Sequence, residues 1–210
     1  MHSKRGGAGK TTIAVQLAVA WASQGYRVAL LDVDPQGSVS AWFALRGKTP
    51  ISSSLIATEI PGWKLSTEID RLKEDFDILL IDTPPHAETD ARIAIRTASL
   101  ILVPVQPSPM DLWAAKPTLE LVRREKGHAL LILNRLPPRG RLADTIRARI
   151  EAEGMPLARS TLGNRSSFAA SMMDGKGVVE TQPKGTAANE IRALACEIAD
   201  ILTPAAKTAV

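Results

Sequence analysis

A glycine-rich stretch near the amino terminus limits what this chain can fold into more than any other feature. Residues 4–12 read Lys-Arg-Gly-Gly-Ala-Gly-Lys-Thr-Thr and run directly into a helical pattern. The glycines remove side chains, so several backbone N–H groups can converge on one phosphate. Lys10 supplies a cation for the outer phosphates, and the Thr11 hydroxyl is placed to bind Mg²⁺. This pattern predicts a nucleoside triphosphate site; the alternative is a flexible turn before a helix. The predicted nucleotide-binding residues are Gly6, Gly7, Ala8, Gly9, Lys10, Thr11 and Thr12.

Two acidic motifs follow, each directly after a short apolar run. The first reads Asp-Val-Asp-Pro-Gln-Gly over residues 32–37, and the second reads Asp-Thr-Pro-Pro over residues 82–85. Carboxylates at the ends of buried parallel strands can face one Mg²⁺ ion and its water. Asp82 is therefore predicted to hold the water shell of the metal opposite Thr11. A solvated acidic turn is the alternative for the first motif.

Taken in order, these three motifs resemble those of the ParA/MinD superfamily of ATPases. The glycine loop is similar to the deviant Walker A sequence of that family, and residues 32–36 are similar to its Asp-x-Asp-Pro-Gln motif. The resemblance implies ATP and Mg²⁺ as cofactors. It also implies that Asp34 positions the attacking water and that Asp32 supports the metal beside Thr11 and Asp82.

The loop departs from the family pattern at one position. The family has a lysine five places before the loop lysine, and this lysine reaches the phosphates of the partner subunit in an ATP-bound dimer. Arg5 occupies that place here, with Lys4 next to it. An arginine could contact a phosphate as a two-pronged donor, but it does not replace lysine atom for atom. Arg5 is thus a catalytic candidate with Lys10 and Asp34; the alternatives are that Lys4 takes this role or that neither residue does.

Two later segments resemble the parts of the family that contact adenine. An apolar strand ends in Asn134-Arg135, where an amide side chain can pair with the edge of a base. On spacing alone, a turn at the end of a strand is the alternative. Residues 182–190, which include Pro183, resemble the second loop that flanks the base.

Arginines are concentrated between residues 135 and 165. This segment contains seven arginines and three acidic residues, so its net charge is +4, which equals the net charge of the whole chain. Arginines without interleaved aromatic residues are typical of contact with a phosphate backbone, although a solvated basic face fits the composition equally well. The resemblance favours non-specific DNA binding. The candidate DNA-binding residues are Arg139, Arg141, Arg147, Arg149 and Arg165.

Apolar strand-like runs alternate with helical patterns along the chain. This alternation predicts an α/β domain over residues 1–203, with a mostly parallel sheet flanked by helices on both faces, followed by a short tail at 204–210. Members of the family place a strand before the glycine loop, in the middle of the sheet. Only Met1, His2 and Ser3 precede Lys4, so either the sheet lacks this first strand or the given sequence starts too late to include it.

Composition excludes several classes of protein. The single cysteine, Cys196, excludes an intrachain disulfide framework, and its spacing from apolar neighbours predicts a buried thiol. No apolar run approaches the roughly 18 residues needed to span a bilayer, and no signal peptide is apparent. A cytoplasmic protein without membrane binding is expected, and the resemblance implies that it associates with the nucleoid.

The resemblance implies a slow ATPase that dimerises on ATP, binds DNA and is released when a partner stimulates hydrolysis. The partner would be a ParB-like protein or a cargo adaptor, and the cargo a plasmid, a chromosome or a protein cluster. Residues 107–111 resemble the dimer interface of small partition ATPases. The alternatives are a nucleotide-gated binding module with little hydrolysis, and a metabolic ligase similar to dethiobiotin synthetase.

Overall fold

The computed structural model describes residues 7–47, 51, 53–84 and 88–203, which contain five short strands, nine α-helices and one 3-10 helix, Gly62–Lys64. The strands are β1 Val28–Asp32, β2 Leu55–Glu59, β3 Ile78–Asp82, β4 Ile101–Val105 and β5 Ala129–Leu133. The helices are α1 Lys10–Ser23, α2 Ser38–Arg46, α3 Leu65–Leu72, α4 Glu88–Thr97, α5 Pro109–Arg124, α6 Leu142–Ala152, α7 Ser166–Met173, α8 Val178–Thr181 and α9 Thr186–Leu202. No helix within these ranges is both long and apolar enough to cross a membrane.

All strand pairings in the described residues are parallel. One sheet has the order β2-β1-β3, and a second sheet pairs β4 with β5. Within the described residues, β3 and β4 are not paired with each other. The predicted α/β fold with a parallel sheet is confirmed.

Helices cover both faces because successive strand residues point in opposite directions. In β1, Val28 and Leu30 pack with α1 and α9, whereas Ala29 and Leu31 pack with α3. β5 repeats the pattern, because its residues alternate between the α1/α9 layer and the layer of α5 and α6. Such two-sided burial explains why the strands are continuous apolar runs.

Helix α1 is the centre of the largest core cluster. It contacts β1, β3, α8 and α9, and it buries apolar residues around most of its circumference. Its one buried polar side chain, Gln16, is fully used: Nε2 donates to Ser171 Oγ at 3.0 Å, and Oε1 accepts from Val178 N at 2.8 Å. The helix that starts at the glycine loop is therefore fixed to α7 and α8 by hydrogen bonds as well as by packing.

The prediction of a buried Cys196 is wrong, because the residue is exposed on α9. The buried face of α9 includes Ile191, Leu194, Ala195 and Ile198. At about 100° per residue, Cys196 lies about 140° from Ile191 around the helix axis. The apolar spacing identified the helix correctly, but it placed this thiol on the wrong side.

Truncation of the core on α9 should show how much this helix stabilises the domain. Ile191 is 0% exposed, and Ile191→Ala is expected to lower the free energy of unfolding by about 2–5 kcal/mol. Ile201 on the same helix is 48% exposed, so Ile201→Ala should change it by less than about 0.5 kcal/mol. Urea denaturation measures the free energy of unfolding of both variants. Equal losses of stability in Ile191→Ala and Ile201→Ala would contradict the packing described.

Candidate nucleotide site

The described part of the glycine loop ends in a left-handed residue that starts α1. Gly9 has φ of 93°, a conformation that favours glycine, and its carbonyl accepts from Ile13 N at 2.9 Å. A Cβ atom at Gly9 would lie 2.6 Å from Asn134 Nδ2. This position thus requires glycine both for its backbone angle and for the close approach of Asn134.

The first turn of α1 meets the end of β3. Thr11 Oγ1 donates a hydrogen bond to Asp82 Oδ2 at 2.6 Å. In the parallel register of β1 and β3, Asp32 is the direct partner of Asp82, so two carboxylates end side by side beneath the start of the helix. The predicted convergence of Thr11 and Asp82 is observed.

Asp82 lies in an environment that disfavours its charged form. Burial, with a smaller contribution from the negative charges of Asp32 and Asp34, raises its pKa to about 6, although the hydrogen bond from Thr11 and the positive charge of Lys10 act in the opposite direction. The same causes show that Lys10 and Asp34 are close enough to act on this carboxyl group. A cation bound here would remove the repulsion among the three carboxylates.

The two carboxylates of the first acidic motif are used differently. Asp32 is fully buried, and its Oδ2 accepts from the backbone N–H groups of Val39 and Ser40 at 3.1 Å each. It thereby satisfies free amides at the N-terminus of α2. Asp34 is only half-buried, and its Oδ1 accepts from Gln36 N at 3.0 Å. The predicted metal-supporting role of Asp32 thus falls on a carboxylate that already anchors a helix.

Asn134 contacts the glycine loop directly. Its Nδ2 donates to the carbonyl of Ala8 at 2.7 Å, and its Oδ1 accepts from Arg135 N at 2.9 Å. Sequence reasoning assigned this amide to adenine and missed the contact with Ala8, because nothing in the local pattern reveals a partner 126 positions away. The adenine role of Asn134 stays a prediction.

A cavity of about 510 Å³ opens beside this contact and is lined by both loop and strand-end residues. It includes Thr12 and the exposed Arg135, which has a φ of 55°. Pro183 is not among its lining residues; its carbonyl instead accepts from Arg192 Nη1 at 2.6 Å. The cavity is lined by Gly9, Thr12, Asn134, Arg135, Gly163, Asn164, Arg165, Ser166, Phe168 and Ala169.

The candidate DNA-binding arginines differ in how they are paired. Arg149 bonds Glu153 at 2.6 Å, and Arg165 bonds Glu190 at 2.6 Å and lines the cavity. Within the described ranges, Arg139, Arg141 and Arg147 have no ion-pair partner. At about 100° per residue, Arg147 lies about 160° from Arg149, so α6 does not present all its arginines on one face.

Some predicted positions lie outside the described residues. These are Lys4, Arg5 and Gly6 of the glycine loop, Pro85 of the second acidic motif and the tail at 204–210.

Comparison of the sequence with known proteins identifies its family. A sequence model of the CobQ/CobB/MinD/ParA nucleotide binding domain matches residues 1–179. The chain belongs to this family. It is 29% identical over 206 residues to "Maintenance of carboxysome distribution protein A" of Halothiobacillus neapolitanus, covering 92% of each chain. It is 26% identical over 232 residues to "Chromosome-partitioning ATPase Soj" of Thermus thermophilus, covering 94% of this chain and 93% of that protein.

Solved structures agree on the fold. The septum site-determining protein MinD of Pyrococcus horikoshii, complexed with Mg-ADP, matches with a TM-score of 0.74 at 20% identity, covering 95% of this chain and 96% of that one. The predicted ParA/MinD-type P-loop fold is therefore confirmed. Membership of this ATPase family makes the chain a nucleotide-binding protein.

The donor set at the family's nucleotide site fits a magnesium nucleotide. Mg²⁺ prefers oxygen ligands and is usually held by one or two protein groups together with phosphate oxygens and water. Thr11 Oγ1 and Asp82 Oδ2 supply such oxygens at the N-terminus of α1, where the helix dipole favours phosphate. Thr11 and Asp82 are therefore the residues that would hold the ion.

Removing the Thr11 hydroxyl tests this fit. Thr11→Val keeps the shape of the side chain but removes the oxygen, so we expect ATP affinity in the presence of Mg²⁺ to fall at least about tenfold. Binding in EDTA should change much less. Thr145→Val on α6 removes an exposed hydroxyl elsewhere and is the control. Calorimetric titration measures all three proteins; equal losses with and without Mg²⁺ would contradict the assignment.

The raised pKa of Asp82 predicts a pH effect on stability. Between its ordinary value of 3.8 and about 6, the folded state holds a proton that the unfolded state has lost, so stability falls as pH rises. The penalty reaches roughly 3 kcal/mol above that range. Asp82→Asn should abolish it and stabilise the metal-free protein at neutral pH.

Denaturation at about pH 4 and about pH 7 measures this difference. Asp77→Asn is the matched control, because the hydrogen bond from Arg27 lowers the pKa of Asp77. Removing this carboxylate should lower the stability at neutral pH, which is opposite to the effect expected of Asp82→Asn. A wild type and an Asp82→Asn variant with the same pH dependence would contradict the description of Asp82.

Proposed function

We propose that this chain is an ATPase that dimerises with Mg-ATP, binds DNA without sequence specificity and positions a cargo on the nucleoid. The observation that carries the proposal is the convergence of Thr11, Asp82 and the Asp32–Asp34 motif at the N-terminus of α1. Three groups from separate parts of the chain meet where a triphosphate and its metal would lie.

Each residue of the site has a distinct task in hydrolysis. Lys10 and the loop amides bind and orient the phosphates, and Thr11 and Asp82 hold the metal. When bound, Mg²⁺ neutralises charge on the phosphate oxygens during phosphoryl transfer. Asp34 orients the attacking water, because within the described residues its carboxylate bonds only its own turn through Gln36 N, whereas Asp32 anchors α2. Arg5 of a partner subunit would add charge stabilisation in trans.

An exposed apolar pair supports dimerisation. Met110 and Trp113 lie three positions apart at the start of α5 and are 54% and 60% exposed. Residues three apart share a helix face, and aromatic residues and methionine are enriched at the centres of interfaces. Met110 belongs to residues 107–111, the segment assigned to the dimer interface by resemblance, and Trp113 lies two residues beyond it.

The arginines that lack ion-pair partners in the described ranges support DNA binding. Arg139 and Arg141 are exposed before α6, so their guanidinium groups can bind phosphates without breaking an ion pair. Arg149 and Arg165 would first have to leave Glu153 and Glu190. Arg139 and Arg141 are therefore expected to contribute most to affinity.

The nature of the cargo is proposed from relatives. The chain covers almost the whole of a protein named for carboxysome distribution and of one named for chromosome partitioning. Both names describe positioning, so a partner that links the ATPase to its cargo and stimulates hydrolysis completes the proposal. A ParB-like protein would fit a DNA cargo, and an adaptor would fit a protein cluster.

Nucleotide-dependent DNA binding tests the proposal. Fluorescence anisotropy with two duplexes of unrelated sequence should show equal binding in Mg-ATP and weak binding in ADP or without nucleotide. Arg141→Ala should weaken binding to both duplexes equally and reduce the salt slope by about one. Arg71→Ala removes the same charge from α3, where Arg71 pairs with Glu68, and should have no effect.

The alternatives give different results in the same assay. DNA binding that is indifferent to nucleotide would contradict the proposed switch. Nucleotide-dependent binding without phosphate release, with DNA and partner present, would indicate a gated binding module. A metabolic ligase would bind Mg-ATP but show no nucleotide-dependent binding to DNA.

A further inference from the structure

Helix α2 ends in an arginine whose charge is buried. The side chain of Arg46 is 1% exposed, and it donates to both carboxylate oxygens of Glu180, from Nη2 to Oε1 at 2.7 Å and from Nη1 to Oε2 at 3.1 Å. Nη1 also donates to the carbonyl of Gly175 at 2.8 Å, and the guanidinium carbon lies 5.3 Å from the centre of the Trp42 ring. Charged side chains are almost never fully buried unless they are paired. Two-pronged pairing of this kind fixes geometry as well as charge, so the end of α2 is bound firmly to α8.

Helix α8 is also bound to α1. Glu180 Oε2 accepts from the backbone N–H of Gly177 at 2.9 Å, which holds the carboxylate against the start of its own helix. In the next peptide unit, Val178 N donates to Gln16 Oε1 of α1 at 2.8 Å. α8 is therefore connected by hydrogen bonds to α2 through Glu180 and to α1 through Val178.

The two helices that α8 connects carry different parts of the candidate nucleotide site. α1 begins with Lys10 and Thr11, whereas α2 directly follows the turn that contains Asp34. Gly37 N donates to the carbonyl of Asp34 at 2.9 Å, so this turn closes immediately before the first residue of α2. The position of Asp34 is therefore coupled to that of α2.

The start of α2 is held to the same turn by one carboxylate. Asp32 Oδ2 accepts from Val39 N and Ser40 N in the first turn of the helix. Its Oδ1 accepts from Asp34 N at 3.2 Å. Two apolar side chains among the nine residues of α2 are buried, so packing gives this helix few contacts. Its polar anchors at both ends consequently set where it lies.

We propose that the Arg46–Glu180 pair positions Asp34 for hydrolysis, with α8 connecting α2 to α1. The pair lies at the far end of α2, about 12 Å along the helix axis from its first residue, so it acts through the helix and not on the nucleotide. Its catalytic consequence rests on the proposed function, whereas its effect on the start of α2 does not. The phosphate-binding and metal-binding groups lie outside α2, so loss of the pair misplaces the water-orienting carboxylate and leaves nucleotide binding intact.

Turnover measured separately from binding tests the catalytic consequence. Arg46→Met keeps a long side chain but removes the two-pronged bond. We expect its kcat for phosphate release, at saturating Mg-ATP with duplex DNA present, to fall at least about tenfold, while its KM for ATP changes by less than about twofold. Arg46→Lys keeps the charge but not the fork, so it should restore part of the loss. A folded Arg46→Met variant with the kcat of the wild type, or with a loss in KM alone, would overturn the proposal.

Arg27→Met is the matched control. Arg27 also forms a two-pronged bond, with Asp77, but this pair is exposed and precedes β1 at the end of the strand opposite to Asp32. The variant should keep the kcat and KM of the wild type. A fall in kcat as large as that of Arg46→Met would show that the loss of any such pair lowers turnover, which would overturn the positioning role.

Amide hydrogen exchange without nucleotide tests the connection itself, and NMR measures it whether or not the chain hydrolyses ATP. In Arg46→Met, the amides of Asp34, Val39 and Ser40 should exchange at least about tenfold faster, because they share one carboxylate acceptor at the start of α2. This acceleration should exceed that of Leu131 N in the buried strand β5, which reports global opening.

The exchange result separates failure of this proposal from failure of the proposed function. The three amides at the start of α2 accelerating no more than Leu131 would overturn the role of Arg46, whatever the phosphate-release assay shows. A wild type that releases no phosphate would overturn the proposed ATPase, while the exchange rates still decide whether Arg46 holds α2 in place.

Discussion

The parallel register of β1 and β3 is the constraint on which the site depends. It sets Asp32 beside Asp82 at one sheet edge, where the first turn of α1 brings Thr11 to Asp82. A slip of one residue would turn one of these carboxylates to the opposite face of the sheet. The pair is compatible with burial because the two groups differ: Asp32 accepts hydrogen bonds from the start of α2, whereas burial and nearby charge raise the pKa of Asp82. The two carboxylates are thus placed where a bound cation would offset their negative charges.

Helix α1 connects these carboxylates to the rest of the domain. Its first residues belong to the nucleotide site, and its body is packed by strands on one side and by α8 and α9 on the other. Gln16 ties it to α7 and α8, and Asn134 ties the preceding loop to the end of β5. Polar groups that are buried and fully hydrogen-bonded restrict a structure to one arrangement. The described residues of the glycine loop are thereby held by the start of α1 on one side and by the end of β5 on the other.

Because the strands form two separate sheets, packing against the helices holds these sheets together. Because β3 and β4 are not paired with each other, the two sheets are joined by packing instead of by a continuous hydrogen-bonded ladder. One core cluster contains Val28 and Leu30 of β1 together with Leu130 and Ile132 of β5, all covered by α1 and α9. The layer of α1 and α9 therefore joins the two sheets. The candidate nucleotide site lies at one end of the cavity between β3 and β4, since Lys10 and Asp82 line that cavity.

The sequence by itself determined the parallel α/β fold, the glycine loop and the carboxylates at strand ends, because these depend on local patterns and on short motifs with a physical role. The spacing of α9 likewise revealed a helix, although the side on which Cys196 lies was mistaken. Only the tertiary structure decided that Asn134 holds Ala8, that Asp32 anchors α2 and that Arg149 and Arg165 are paired with acids. These contacts depend on how distant or differently oriented groups meet in three dimensions, and such meetings leave no periodic signal in the chain.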